Sequence, residues 1–308
     1  MALFEKALEA SVMSTHLLIR ANVSKTILFQ AHKIATDFES RYSAYKEDSF
    51  LNTINANAGK APIKCTDDDL ALFTTCMEAS QSTEGVFDIT IGALSHGAYH
   101  YGFANEKMAS VETIQKQKKL VNYRDISIKH NTIFLEKKGM RLDLGGIGKG
   151  YVAKQIAVFL AKSGATKLLV DVGGEIVTRG KSYTIAIKNP FDEGNIAYLK
   201  TSKGDMSIST SGDYIRHIDD HNHHILNTTE GTSKNDYTSM SILQNGWHID
   251  QLDAYATAYF NRPLHKIEKL KNTLGIALLI IDKSNTITLM NQDILDVESI
   301  TFSSLLFK

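Results

Sequence analysis

The segment Arg141-Leu-Asp-Leu-Gly-Gly-Ile-Gly-Lys-Gly-Tyr151 decides how the rest of the chain is interpreted, because it joins a strand end to a predicted helix. Four glycines fall within the six positions 145–150, and glycine lets a ligand approach the backbone closely. The start of the helix offers free N–H groups to an anion. Lys149 is followed by Gly150, where a Walker A loop needs Ser or Thr. On spacing alone, a tight strand-to-helix turn without any ligand remains the alternative.

Hydrophobic periodicity on both sides of this segment predicts groups of strands separated by helices. The predicted helices cover 24–46, 67–80 with Asp67 or Asp68 as the cap, and 151–163. The predicted strands cover 14–23, a pair with a turn at His130-Asn131, 168–174, 183–189, and a hairpin around 282–285. Strands in groups favour an α+β fold with mixed or antiparallel sheets flanked by helices. Because no Pro/Gly/Ser linker interrupts the sequence, we expect one domain over 1–308.

Composition excludes several classes of protein. The 308 residues include 34 basic and 34 acidic side chains, so no bulk charge attracts nucleic acid or an anionic membrane. The longest apolar run, 274–281, is far shorter than the roughly 20 residues of a membrane span. Glu5, Lys6 and Glu9 stand where a signal peptide would be apolar. We expect a soluble, cytoplasmic chain, or a periplasmic or membrane-anchored one if an export segment is missing.

The two cysteines, Cys65 and Cys76, are too few for a metal framework, and we expect ordinary thiols. The predicted helical segment Asp253-Ala-Tyr-Ala-Thr257 offers a different metal chemistry. Its carboxylate and hydroxyl lie four residues apart and therefore share one helix face. Two oxygen ligands plus water and phosphate suit Mg²⁺. The alternatives are that Asp253 caps its helix and that Thr257 bonds back to a carbonyl.

A third segment, Ser207–Asp213, is rich in hydroxyl groups and precedes the histidine-rich stretch 217–224. Its four histidines suggest zinc, but the segment is predicted to be an irregular loop, whereas zinc ligands usually sit on rigid elements. A solvated loop is the main alternative, and a third is that one histidine, most plausibly His224, acts as a base. A fourth segment, Phe87-Asp-Ile-Thr-Ile-Gly92, places an acid beside an aromatic ring and is uninformative alone.

Taken in order, these segments resemble the ApbE-type flavin transferases, which are FAD:protein FMN transferases. The resemblance runs over nearly the whole chain and includes further short matches. Those matches are Ser11-Val-Met-Ser-Thr15, Tyr45-Lys-Glu-Asp-Ser49, Asp171-Val-Gly-Gly-Glu175 and Ser207-Ile-Ser-Thr-Ser-Gly-Asp-Tyr214. The family resemblance implies an α+β fold that binds FAD as substrate together with Mg²⁺.

The resemblance also implies roles for individual residues. The implied Mg²⁺ ligands are Asp253, Thr257 and the backbone carbonyl of Gly146. The implied general base is His224. The implied FAD contacts are Met13, Tyr45, Val86, Phe87, Asp88, Asp143, Lys149 and Leu226.

The chain departs from the family pattern at two places. It has Met13-Ser14-Thr15 where members usually have Met-Gly-Thr, and Asn227-Thr228 where members have Asp-Pro. The second change alters the loop that carries the implied base.

The function implied by the resemblance is Mg²⁺-dependent transfer of FMN from FAD to a Thr or Ser hydroxyl, with release of AMP. The implied partner is an acceptor flavoprotein subunit with a D-G-x-[S/T]-G-A-T-[S/T] type sequence. Ser163-Gly-Ala-Thr166 matches only the centre of that pattern, and we interpret it as a helix stop. The alternatives are an Mg²⁺-dependent FAD pyrophosphatase and a non-catalytic FAD-binding protein.

Overall fold

A computed structural model describes residues 4–214, 217–219 and 222–303. These residues form eight α-helices, sixteen strands and two short 3-10 helices. The helices are α1 (Lys25–Tyr42), α2 (Phe50–Ala56), α3 (Asp67–Ser82), α4 (Gly92–Ser95), α5 (Val111–Lys118), α6 (Gly148–Lys162), α7 (Ile249–Phe260) and α8 (Leu264–Leu274). The strands are β1 (Lys6–Val12), β2 (Thr15–Ala21), β3 (Ile63–Lys64), β4 (Ile126–Lys129), β5 (Thr132–Leu135), β6 (Leu168–Val172), β7 (Glu175–Arg179), β8 (Thr184–Lys188), β9 (Asn195–Thr201), β10 (Met206–Gly212), β11 (His217–Asp219), β12 (Asn222–His223), β13 (Tyr237–Asn245), β14 (Ala277–Asp282), β15 (Ile287–Met290) and β16 (Val297–Phe302).

An eight-stranded sheet in the order β1-β2-β6-β7-β10-β13-β14-β15 is the centre of the fold. Every neighbouring pair in it is antiparallel. Smaller sheets are formed by β16-β9-β8, by β3-β5-β4 and by β11-β12. The predicted α+β class with antiparallel sheets is therefore confirmed, as is the hairpin that joins β14 to β15.

The central sheet is covered on both faces, and strand β14 shows how. Leu278 and Ile280 point into the main core, which they share with the helices. Leu279 and Ile281 alternate with them and pack under the sheet formed by β16, β9 and β8. A strand that is buried on both faces must be apolar at every position, which explains the unbroken apolar run in this part of the sequence.

Three helices pack on the first of these faces and position the candidate site. Helix α6 packs against α1, α7 and β6, and helix α7 packs against β10 and β13. The predicted apolar stripe of α6 is confirmed, since Val152, Ile156 and Leu160 are all fully buried. The helix begins at Gly148, three residues before the predicted start. Helix α1 ends at Tyr42 rather than at residue 46, because the chain turns to an extended conformation at Ser43.

The prediction that Asp67 or Asp68 caps α3 is wrong. Thr66 is the N-cap, and its side chain accepts a hydrogen bond from the Asp69 amide while the Asp69 carboxylate accepts one from the Thr66 amide. This reciprocal pair is a capping box, in which the residue three positions into the helix matters more than the first.

Asp69 also ties α3 to α1. Its carboxylate accepts hydrogen bonds from Arg41 at 2.6 and 2.7 Å and from the Tyr42 hydroxyl. Burial of Asp69 opposes its charge, but the bonds from Arg41 and Tyr42 outweigh that cost and lower its pKa from 3.8 to about 2. The charged carboxylate therefore stabilises the folded state above pH 4.

Replacing Asp69 with Asn should lower the free energy of unfolding at pH 7 by about 2 kcal/mol. This is the stabilisation that corresponds to the difference between the pKa of Asp69 in the folded protein and its ordinary value. The difference from wild type should shrink as the pH falls from 4 towards 2, where the wild-type carboxylate also becomes protonated. Urea unfolding at several pH values measures both effects. Asp37→Asn, which breaks an exposed pair with Lys33, is the control and should change stability by less than about 0.5 kcal/mol. Equal losses in the two variants would contradict the account.

Cys65 and Cys76 are both free and buried, which confirms their interpretation as ordinary thiols. Burial raises the pKa of Cys65 to about 11, so the unreactive thiol form dominates at neutral pH. Within 4–214, 217–219 and 222–303, no helix combines the length and apolarity that crossing a membrane requires.

Candidate functional site

The glycine segment meets helix α7 at unusually short range. A Cβ atom on Gly150 would lie only 2.3 Å from the carbonyl oxygen of Ile249, so only glycine permits this approach. The amide of Gly150 donates a hydrogen bond of 2.9 Å to Oδ2 of Asp253. The N-cap residue of α6 is Ile147, which has no polar side chain. Asp253 therefore caps α6 from the neighbouring helix, not α7 as the alternative supposed.

Gly146 precedes the N-cap of α6 and is not part of the helix. Gly150 is the third residue of α6, so its amide is one of the donors that a helix start leaves without a backbone partner. It donates to Asp253 instead, and within the described residues the Gly146 carbonyl accepts no hydrogen bond. A backbone oxygen at the start of α6 is consequently left to accept a ligand.

Thr257 lies against the same glycine. A Cβ atom on Gly146 would be 2.9 Å from Oγ1 of Thr257 and 3.3 Å from the ring of Phe87. Asp253 and Thr257 are one turn apart on α7 and both contact the start of α6. The structure thus brings together the three residues predicted to ligate Mg²⁺. Among the described residues, no hydrogen bond is donated by the Thr257 hydroxyl to a carbonyl, so the back-bonding alternative finds no support.

Two further charged groups complete this cluster. The Lys149 ammonium lies 2.9 Å from Oε1 of Glu175 and 3.4 Å from Oδ1 of Asp253. Burial would lower the pKa of Lys149, but the charges of Asp253 and Glu175 raise it above its usual value. Burial and the charge of Asp253 raise the pKa of Glu175 to about 8. Its Oε2 is buried and has no partner within the described residues.

The chemistry of these groups fits a small hard cation. Carboxylate, hydroxyl and carbonyl oxygens are the ligands that Mg²⁺ prefers, and it keeps water and phosphate in the remaining positions. Two carboxylates share the single ammonium group of Lys149, and the raised pKa of Glu175 indicates that a second negative charge is costly there until a cation binds. In the described part of the chain no three His, Cys, Asp or Glu residues are placed to hold a metal.

The histidine-rich stretch is more regular than predicted. Strands β11 and β12 pair as a short antiparallel ribbon, which corrects the expectation of an irregular loop; His221 lies outside the described residues. His223 is buried, and its Nε2 is 2.7 Å from the carbonyl oxygen of Lys234. His224, the predicted base, is half-buried. The side-chain amide of Asn261, the residue after α7, donates a hydrogen bond to the Leu226 carbonyl and ties this segment to α7.

Among the predicted FAD contacts, Asp88 has a carboxylate whose oxygens already accept hydrogen bonds from other residues of the chain. It is buried and accepts hydrogen bonds from the amide and hydroxyl of Thr90 and from the amide of Tyr123. Burial raises the pKa of Asp88. Val86 is half-buried beside it. A contact between the Asp88 carboxylate and FAD stays a prediction without structural support.

Met13 lies at the other side of the α6 start. Its backbone has a positive φ of 52°, and its amide donates to Glu39 at 3.1 Å. The end of its side chain would be 3.4 Å from a Cβ atom on Gly148. Met13 therefore touches the first turn of α6, whose amides the sequence predicts to be available to an anion.

A cavity of about 640 Å³ includes Tyr45, His96, Phe103 and Arg141 in its wall, and we call it the aromatic cavity. Tyr45, another predicted FAD contact, is 44% exposed. Asp143 connects this cavity to the glycine segment, because it contacts His96 and accepts a hydrogen bond from the amide of Gly145 at 2.8 Å. Burial opposes the charge of Asp143, but the neighbouring His96 holds its pKa well below the usual range.

Sequence reasoning missed three residues of the site: Glu175, which was only part of a matching motif, His96 and Phe103. A polar His96 within the otherwise small and apolar stretch 92–98 was the one available signal.

A helix start with unpaired amides beside a cavity is typical of proteins that bind phosphorylated ligands. The ApbE family model matches residues 12–280. The chain belongs to the ApbE family.

Curated relatives and solved structures agree with this assignment. An FAD:protein FMN transferase of Klebsiella pneumoniae (strain 342) is 26% identical over 261 residues, which cover 82% of this chain and 81% of that protein. One of Vibrio cholerae is 25% identical over 233 residues, covering 71% and 69%. The fold matches the ApbE protein of Thermotoga maritima with a TM-score of 0.86 at 22% identity, over 95% of this chain and 99% of that one. The flavin transferase ApbE of Vibrio cholerae matches with a TM-score of 0.78 at 23% identity, over 98% of both chains.

Replacing Gly150 with Ala tests the close approach of α6 and α7. The new methyl group would overlap the Ile249 carbonyl, so we expect a loss of at least about 3 kcal/mol in unfolding free energy. Gly145→Ala is the control, since its methyl group would meet only a carboxylate oxygen of Asp143 at 3.2 Å, and should cost less than about 1 kcal/mol. Chemical denaturation measures both. Ala is otherwise the better helix former, so unchanged or increased stability of Gly150→Ala would show that the helices are not this close.

Proposed function

We propose that this chain is an FAD:protein FMN transferase that moves FMN from FAD to a hydroxyl group of an acceptor protein and releases AMP. Membership of the ApbE family and the names of the curated relatives support the activity. The observation that carries the proposal is the meeting of α6 and α7, where Asp253 caps α6 and the Thr257 hydroxyl lies against Gly146. Within the described residues the Gly146 carbonyl accepts no hydrogen bond.

The proposed ligands of Mg²⁺ are the Asp253 carboxylate, the Thr257 hydroxyl and the Gly146 carbonyl. When bound, the cation supplies charge neutralisation for a diphosphate, whose negative charge otherwise repels nucleophiles. The proposed role of Glu175 is to hold Lys149. Because Lys149 is shared by two carboxylates, it neutralises the charge of Asp253 only in part.

The start of α6 is the proposed binding site for the FAD diphosphate. Within the described residues the amides of Gly146 and Lys149 donate no hydrogen bond, so both are available to phosphate oxygens. The Lys149 ammonium lies in the same turn and adds a positive charge. The remaining proposed FAD contacts are Met13, Tyr45, Val86, Phe87, Asp88, Asp143 and Leu226.

His224 is the proposed general base. It takes the proton of an acceptor Thr or Ser hydroxyl, whose oxygen forms a bond to the phosphorus on the riboflavin side. The bond between that phosphorus and the bridging oxygen breaks, and AMP leaves with the bridging oxygen and its electron pair. The proposed acceptor is a flavoprotein subunit with the D-G-x-[S/T]-G-A-T-[S/T] type sequence, which places a hydroxyl on an accessible segment.

Replacing Asp253 with Asn tests the cation site and keeps an oxygen that can cap α6. The loss of charge should slow FMN transfer about 100-fold or more, which corresponds to about 3 kcal/mol of the barrier, while the melting temperature changes little. Thr257→Val should raise the Mg²⁺ concentration needed for half-maximal rate. Intact-mass analysis of the acceptor after incubation with FAD and Mg²⁺ measures transfer.

Asp250→Asn is the matched control, because Asp250 lies on the same helix and pairs with Lys154 instead. It should leave the Mg²⁺ requirement unchanged. Wild-type activity in Asp253→Asn would refute the cation site. Release of FMN without any gain in acceptor mass would identify an FAD pyrophosphatase and refute the transferase.

Replacing His224 with Ala tests the proposed base. Transfer should slow about 100-fold or more, as expected for loss of a general base, while the Kd for FAD stays within about twofold. His223→Ala is the control: its ring anchors the segment to the Lys234 carbonyl, so it should lower the melting temperature. Equal losses of binding and transfer in His224→Ala would mean that His224 has a structural role.

A further inference from the structure

The aromatic cavity has a wall that suits a flat ligand. The rings of Tyr45, His96 and Phe103 lie with centroids 5.2 to 5.4 Å apart. Tyr45 remains 44% exposed beside a cavity of about 640 Å³, which is within the usual range for small-molecule sites. An exposed aromatic face of this kind is typical of a surface on which a planar ring stacks.

His96 is the buried polar group of this wall. Its side chain is only 1% exposed, and its Nε2 lies 3.0 Å from Oδ2 of Asp143. The carboxylate is held in turn by the Ser95 hydroxyl at 2.7 Å and the Gly145 amide at 2.8 Å. A carboxylate beside Nε2 favours the tautomer with its proton on Nε2, which leaves a lone pair on Nδ1.

That second nitrogen has no protein partner. Within the described residues both ring nitrogens of His96 are buried without a hydrogen bond; Nε2 has its ion-pair contact with Asp143, whereas Nδ1 has no partner. A buried acceptor without a partner destabilises the folded state, and such groups are rare in folded proteins unless a ligand completes them.

Arg141 adds an unused donor to the same wall. Its Nη2 donates to the Ala44 carbonyl and to the Asn52 side chain, both at 3.3 Å. Its Nε–H is buried and has no partner within the described residues. His96 and Arg141 both line the aromatic cavity, so each brings a buried polar atom without a partner to the wall that includes the exposed Tyr45.

We propose that His96 and Arg141 recognise the edge of a heteroaromatic ring of the dinucleotide substrate: Nδ1 of His96 accepts from an N–H of the ring, and Nε–H of Arg141 donates to an adjacent carbonyl or ring nitrogen. The proposal rests on the proposed function for the identity of the ligand and adds the residues that read its ring. The isoalloxazine and the adenine of FAD both carry such an edge, and the test separates them.

Three variants of His96 separate the roles of its two nitrogens. Gln places its amide near the position of Nε2, Asn places its amide near that of Nδ1, and Phe keeps the ring without either nitrogen. We expect the Kd for FAD to rise about tenfold or more in His96→Gln and His96→Phe, the range of a lost buried hydrogen bond. His96→Asn should bind FAD more tightly than His96→Gln. Quenching of FAD fluorescence measures binding to the whole protein without Mg²⁺ or acceptor.

FMN and ADP, used separately as competitors, identify the ring. A weaker affinity for FMN alone in His96→Gln places the isoalloxazine at His96, and a weaker affinity for ADP alone places the adenine there. His130→Asn is the control, because His130 is an exposed turn residue with a positive φ that Asn tolerates. It should leave every Kd unchanged.

The proposal is overturned if His96→Gln and His96→Phe bind FAD as wild type does, if His96→Asn binds no more tightly than His96→Gln, or if FMN and ADP are weakened equally. These outcomes are independent of catalysis. A chain that binds FAD with the expected order of affinities but never modifies an acceptor would lose the transferase proposal and keep this one.

Discussion

The hydrogen bond from the Gly150 amide to Asp253 is the contact on which the candidate site depends. It exists because two glycines let α6 and α7 approach within the reach of one carboxylate. The bond supplies an acceptor for one of the amides that the start of α6 leaves unpaired, and it brings Asp253 beside the glycine segment. Capping from a neighbouring helix couples the helix start to the packing of the core, which makes the site as rigid as the core itself.

Charge balance within this cluster explains why it suits a cation and a phosphate together. One ammonium group, that of Lys149, is shared by Glu175 and Asp253. Burial makes an additional negative charge costly, as the raised pKa of Glu175 indicates. A divalent cation relieves this cost, and the free amides at the start of α6 then favour an anionic diphosphate. Cation and substrate are thus expected to bind more tightly together than separately.

Much of the fold follows from local patterns in the sequence. Periodicity indicates α6 and the paired antiparallel strands, whereas the meeting of the glycine segment with Asp253 was predicted only through the family resemblance. The cap of α3 at Thr66 was missed because three consecutive aspartates follow it, and only the hydrogen bonds show which one completes the capping box. Glu175 and His96 were missed for a different reason. Each owes its role to residues distant in the sequence, and neither stands at a spacing that indicates chemistry.

The proposed function makes one physical claim that can be tested directly: a divalent cation binds between the start of α6 and the middle of α7. Crystals of the protein grown with FAD and Mn²⁺, a paramagnetic substitute for Mg²⁺ with strong anomalous scattering, test it directly. The account predicts an anomalous peak within about 2.5 Å of the Asp253 carboxylate, the Thr257 hydroxyl and the Gly146 carbonyl. A peak elsewhere, or bound FAD with no peak at these three oxygens, would contradict it.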